Sequence, residues 1–199
     1  LRYGFKHRGR RFRVCYFQPE SALNQKDTQR YAQNEITCNR QWFYSDTTHN
    51  SVDMVLAVNG IPVFAFELKN QFTGQTVENA KQQWMHDRDP REVCFQFNKR
   101  ILGYFCVDLT EVWMATRLAG KDTRFLPFNQ GSNGAGRDGG AGNPPNPNGY
   151  LTAYLWEEVF QKDSMMDILQ KFMSLQDGKT LIFPLAHRDA YTLLVAVLL

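Results

Sequence analysis

The sequence predicts an α/β fold, a mixed central β-sheet flanked by helices, with a C-terminal helical extension. Three observations carry this. Residues 51–70, SVDMVLAVNGIPVFAFELKN, form two arms of alternating apolar residues around Asn59-Gly60, the strongest short hairpin signal. Residues 76–87 place Val77, Ala80 and Trp84 on one helical face, and the later run ILGYFCV is nearly all apolar, as expected of a strand covered on both faces. Residues 152–161 and 164–175 then read as two amphipathic helices with aromatic-rich apolar sides.

Taken in order, the chain begins with a basic arm. Arg2, Lys6, Arg8, Arg10, Arg11 and Arg13 stand among the first thirteen residues, without an acid and with Tyr3, Phe5 and Phe12 interleaved. Such a stretch suits phosphate contact, the bland alternative being a solvated basic edge. Residues 14–17 are a short apolar segment ended by Pro19, 21–32 a loop and short polar helix, and 35–44 the first long strand. After the hairpin, Thr76 caps a helix with Glu78 in its positive first turn, and Pro90 stops it. Residues 100–108 and 111–118 are two more strands, and the Gly- and Pro-rich residues 130–149 a flexible loop. In the two last helices Leu155, Trp156, Val159 and Phe160, then Met165, Ile168, Leu169 and Phe172, form the apolar sides, with Asp163 as N-cap of the second. The expected division is 1–150 for the main domain and 151–199 for the helical extension.

Composition narrows the function. At 199 residues, 43% hydrophobic and 22% charged, this is ordinary globular material with a net charge of +3. Cys15, Cys38, Cys94 and Cys106 have neither disulfide nor zinc spacing and read as buried thiols, and the four histidines lack ligand spacing. The Gly-Lys-Thr at 178–180 has Met173 where a phosphate loop needs glycine, which excludes nucleotide binding within the chain. The longest apolar run, LLVAVLL, is too short to span a bilayer. A start at Leu1 and a stop inside that run suggest a portion of something longer.

Chemistry concentrates in the hairpin. Glu67 and Lys69 are two apart and share a strand face with Ala65 and Val63, while Phe64, Phe66 and Leu68 face away. A two-residue turn at Asn59-Gly60 would set Asp53 opposite Phe66 and put the two acids on opposite faces. A three-residue loop, Val58-Asn59-Gly60, with Gly60 as a left-handed bulge, sets Asp53 opposite Ala65, one diagonal from Glu67. The odd loop is the expectation, because it clusters Asp53, Glu67 and Lys69. Two neighbouring carboxylates repel unless a hard divalent cation such as Mg²⁺ lies between them.

Asp-(x13)-Glu-x-Lys across a hairpin, followed by a helix, resembles the PD-(D/E)xK nuclease core. The wording is narrower still. VDMVLAVNGIPVFAFELKN with TGQTVENAKQQW, together with CYFQPESALN, YAQNEITCNRQWFYS, RDPRE, LAGKDTRFLPFN and NPPNPNGYLTAYLWEEVFQKDSMMDILQKF, resembles the N-terminal nuclease domain of the restriction (R) subunit of type I restriction-modification enzymes. The likeness runs from about Val14 to about Pro184.

That resemblance implies a Mg²⁺-dependent DNA endonuclease. Asp53 and Glu67 would hold the metal, with the Leu68 carbonyl as a further ligand, and Lys69 would steer the attacking water. A glutamine on the following helix assists in the family, and Gln83 fits it best, although Asp87 stands where a tyrosine can follow. An auxiliary acid near the first helix or strand would be Glu35 or Glu20. Arg8, Arg10, Arg11 and Arg13 would contact DNA. The resemblance further implies ATP only for a motor domain beyond residues 181–199, modification and specificity subunits as partners with double-stranded DNA, and a prokaryotic cytoplasm without membrane attachment. Two other readings remain open, a degenerate nuclease fold that only binds DNA and an interaction scaffold with no nucleic-acid affinity.

Overall fold

A computed structural model describes residues 1–21, 23–131, 142–177 and 180–182. Residues 183–199, most of the expected junction segment, and residues 132–141, half of the Gly-rich loop, lie outside the described residues. The centre is a six-stranded sheet of order β3 (Ile36–Phe43), β4 (Ser51–Val58), β5 (Ile61–Leu68), β6 (Gly103–Val107), β7 (Val112–Ala115) and β8 (Leu126–Pro127). Only β5 and β6 pair in parallel, which requires a crossover. It is supplied by α2 (Val77–Gln82), which continues through a wider π-type turn, Gln83–Asp87. Thr76 caps α2, its hydroxyl accepting from the Glu78 N–H while Asn79 returns a bond to the Thr76 N–H.

Each sheet face is covered. On one, Val77, Ala80 and Trp84 of α2 meet Val55, Ala65, Tyr104 and Cys106, and the Trp84 indole donates to the Phe105 carbonyl at 3.1 Å. On the other, Phe66 and Phe105 stack at 5.0 Å and Phe160 sets its edge against both. Leu155, Met165, Ile168 and Leu169 join Phe160 in that cluster. They come from the wide turn Leu155–Val159 and from α3 (Lys162–Asp167), with its π-type continuation Ile168–Phe172. Burying five such side chains is worth on the order of 10 kcal/mol before entropy. That equals the net stability of a typical domain, so this segment belongs to the core of the sheet.

The basic arm is partly a hairpin, β1 (Phe5–His7) and β2 (Arg10–Phe12), joined by Arg8-Gly9 with both residues left-handed. Gly4 is also left-handed, and a Cβ there would lie 2.0 Å from the Phe12 carbonyl oxygen, so only glycine fits. A short helix, α1 (Gln25–Ala32), capped by Asn24, precedes β3. At the end of the described chain β9 (Ser174–Gln176) pairs with β10 (Thr180–Ile182).

Several expectations need correction. The second late helix ends at Phe172, and Leu175 lies in β9. Its N-cap is Gln161, not Asp163, whose carboxylate instead accepts from the Tyr31 hydroxyl at 2.6 Å. Cys15, Cys94 and Cys106 are buried, but Cys38 is exposed, on the edge strand β3 where every residue from Thr37 to Gln41 is exposed. Among the described residues no helix is long and apolar enough to cross a membrane.

Candidate active site

The turn of the central hairpin differs from expectation, yet the two acids still meet. Val58 pairs with Ile61, so the loop is the two residues Asn59-Gly60, both left-handed at φ 49° and 79°. Ala57 then pairs with Pro62, but Leu56 pairs with Phe64, leaving Val63 without an opposite residue. This bulge restores the register that a two-residue turn would have spoiled. Proline has no N–H to give the ladder and is tolerated in strands mainly at edges and bulges, which is why the irregularity falls here. Val63 consequently packs with Phe64 and Phe66, not with Ala65 as expected. Beyond Met54 and Phe66 the same register carries Asp53 directly opposite Glu67, closer than the predicted diagonal.

Glu67 is wholly buried, Lys69 keeps 7% of its side chain exposed and Asp53 29%. The Lys69 ammonium lies 3.7 Å from Asp53 Oδ2 and 3.8 Å from Glu67 Oε2. Asp53 Oδ2 also accepts from the Leu68 N–H at 2.8 Å, so Leu68 orients the aspartate through its N–H. Burial pushes Glu67 up to about 7; the cations Arg88 and Lys69 oppose that rise and Asp53 adds to it. Glu67 Oε1 is held by Arg88, but Oε2 has no hydrogen-bond partner. A buried carboxylate oxygen without a donor suits a cation ligand, because an unpaired polar atom there would otherwise carry its full desolvation cost. Among the described residues no group of three or more His, Cys, Asp or Glu could enclose a metal; Asp53 and Glu67 are the two carboxylates beside Lys69.

Other predicted residues fall elsewhere. Glu35 is exposed beside the Asn59 turn, its N–H bonded to Asn59 Oδ1 at 2.7 Å. That is the opposite end of β4 from Asp53, about 20 Å away at some 3.4 Å per residue, which removes Glu35 from the constellation. Gln83 stands in the continuation of α2 with its Oε1 buried and undonated. Arg8, Arg10 and Arg11 are exposed on the β1–β2 hairpin and its turn, and Arg13 follows it. The arm lies beside the Asn59 turn, where the Asn59 side chain donates to the Val14 carbonyl at 2.8 Å.

Two contributors go unrecognised in the sequence. Arg88 donates to Glu67 Oε1 from both Nε and Nη2, at 2.9 and 2.7 Å. Its run, RDPRE, is part of the family likeness, but nothing local marks Glu67 as its partner. Gln41, in β3 opposite Asp53, bonds Asp53 Oδ1 at 3.4 Å and accepts from the Ser51 hydroxyl at 3.2 Å. It is left-handed at φ 47°, a strain that the sequence does not signal.

A mixed sheet with helices on both faces, whose central hairpin gathers Asp-(x13)-Glu-x-Lys at the end of its strands, has the organisation of a PD-(D/E)xK-like core. The chain belongs to the family described as type I restriction enzyme R protein N terminus, whose model matches residues 12–131. No curated protein matches it.

Proposed function

We propose that this chain is the Mg²⁺-dependent endonuclease module of a type I restriction enzyme. The observation that carries the reading is the convergence of Asp53, Glu67 and Lys69 around a buried carboxylate oxygen that has no donor. Asp53 and Glu67 would hold the ion, with the Leu68 carbonyl as a further oxygen. When bound, Mg²⁺ would polarise a phosphodiester and lower the pKa of its water. Lys69, nearly buried and within 4 Å of both acids, orients the attacking water and offsets charge gathering on the phosphorus oxygens. Leu68 fixes Asp53 through its N–H, a common device for holding a ligand still. Double-stranded DNA is the substrate, the modification and specificity subunits are partners, and ATP serves a motor outside this chain.

The test is cleavage of supercoiled plasmid by the complete enzyme carrying Asp53→Ala or Lys69→Ala. Each should lose about three powers of ten in rate, some 4 kcal/mol of transition-state stabilisation. Full cutting by either variant would refute the assignment.

A further inference from the structure

Arg88 binds Glu67 in an unusual way. A guanidinium facing a carboxylate commonly makes two parallel bonds, one to each oxygen. Here Nε and Nη2 both go to Oε1, and the same Nη2 also donates to the Ser51 carbonyl at 2.9 Å. Arg88 is itself 9% exposed and lies over the Tyr44 ring at 5.7 Å, so its plane is fixed from a third side. Ser51 is on the strand of Asp53, two residues before it. One guanidinium therefore ties the two acid-bearing strands together and occupies one oxygen of Glu67, leaving Oε2 beside Lys69.

We propose that Arg88 is the positioning residue of the site: by occupying Oε1 and the Ser51 carbonyl it presents Oε2 of Glu67 as a single free ligand for a divalent cation. This rests on the nuclease reading and adds to it the group that sets the ligand geometry. Without Arg88, the nearest cation to Glu67 is Lys69, and the carboxylate turns towards it, closing the space between the acids. The charges also matter. Asp53 and Glu67 are formally balanced by Lys69 and Arg88, so the four side chains are electrically satisfied by themselves and a divalent ion binds weakly until a phosphate brings further negative charge.

The experiment measures Mn²⁺ binding to the complete R subunit by electron paramagnetic resonance, with and without duplex DNA, beside plasmid cleavage by the complete enzyme. Arg88→Gln and Arg88→Lys are compared with wild type, circular dichroism confirming the fold. Arg88→Gln should weaken Mn²⁺ binding ten- to a hundredfold, the usual cost of losing an outer-shell partner, and cut cleavage at least as much, with duplex affinity unchanged. Arg88→Lys keeps the charge but cannot span Oε1 and the Ser51 carbonyl with a planar fork, so it should recover only part of the loss. DNA should tighten Mn²⁺ binding in wild type. A folded Arg88→Gln protein with wild-type Mn²⁺ affinity overturns the inference, as does an Arg88→Lys protein indistinguishable from wild type. Should Arg88→Gln fail to fold, the Lys variant alone decides. Wild-type protein that neither binds Mn²⁺ nor cuts overturns the nuclease reading itself, a separable result.

Discussion

Glu67 is a buried acid set among three charged groups. It faces Asp53 across the hairpin, Lys69 along its own strand and Arg88 beyond α2, and burial pushes its pKa up to about 7. An unfolded glutamate titrates near 4.3, so between those values the folded protein binds more protons than the unfolded one. Stability from this group is fully present below the unfolded value and is lost as pH rises to about 7, on the order of 3 kcal/mol in all. Glu67→Gln keeps an acceptor for Arg88 and removes the titration. On going from pH 4.5 to 7.5 the variant should therefore gain about 3 kcal/mol relative to wild type in urea unfolding without divalent ions. Parallel pH dependences for the two proteins would show that Glu67 is not the strained group. A wild-type sample given Mg²⁺ at pH 7.5 should recover part of the difference, since a cation replaces the missing proton.

The central hairpin connects its turn to the site through register. Asn59 accepts from the Glu35 N–H and donates to the Val14 carbonyl and Asn34 Oδ1, so one turn residue fastens β3 and the arm to the hairpin. Asn59→Gly keeps the left-handed backbone and loses these bonds, at about 2 kcal/mol; Asn59→Ala adds about 1–2 kcal/mol for the left-handed conformation. Guanidinium unfolding of the pair separates the two causes, and an alanine variant as stable as the glycine one would remove strain from the account. The hairpin also marks how far the sequence can be read. Asn59-Gly60 identifies the turn, and a shared face for Asp53 and Glu67 demands one odd residue, but parity cannot say where that residue sits. It lies in the strand, at Pro62-Val63, and Pro62 is the available sign. Helix α2 is legible from Thr76 to Pro90 because capping and periodicity are local. Arg88 is not, because its partner lies 21 residues back in the chain. Glu35 looks close to the acids in sequence and stands at the far end of the strand, since distance along an extended chain grows faster than intuition suggests. The β1–β2 hairpin, three exposed residues a side, has no alternation to reveal it.

At the scale of the whole molecule, chemistry and basic charge occupy opposite ends of the same strand. The arm that carries Arg8, Arg10, Arg11 and Arg13 joins the hairpin through Val14 at the Asn59 turn, and that turn lies about 20 Å from Asp53 along β4, some six base pairs of B-DNA. On the proposed nuclease reading, a group that distant from Asp53 would not stabilise the transition state at a reacting phosphate, but it would grip the duplex beyond it. Arg13 and Arg30 both lie against the Tyr16 ring, at 5.9 and 5.1 Å, adding cationic surface on the same side. Arg2 is different: its guanidinium donates to the Leu169 and Met173 carbonyls and so fastens the end of the last helix. Replacing Arg8, Arg10, Arg11 and Arg13 together by glutamine should therefore weaken duplex binding and flatten its dependence on salt. The slope of log K against log salt should fall by up to about 3.6, at roughly 0.9 for each phosphate no longer neutralised, while the rate of cutting at saturating DNA stays near wild type. Arg2→Gln should leave that slope alone and lower the unfolding midpoint. Fluorescence anisotropy on a duplex of about 30 base pairs between roughly 50 and 200 mM salt reads the slopes. An unchanged slope in the fourfold variant would mean that the duplex approaches from another side and that the arm binds something else. A cutting rate that collapsed at saturating DNA would place these arginines, against the distance along β4, within reach of the reacting phosphate.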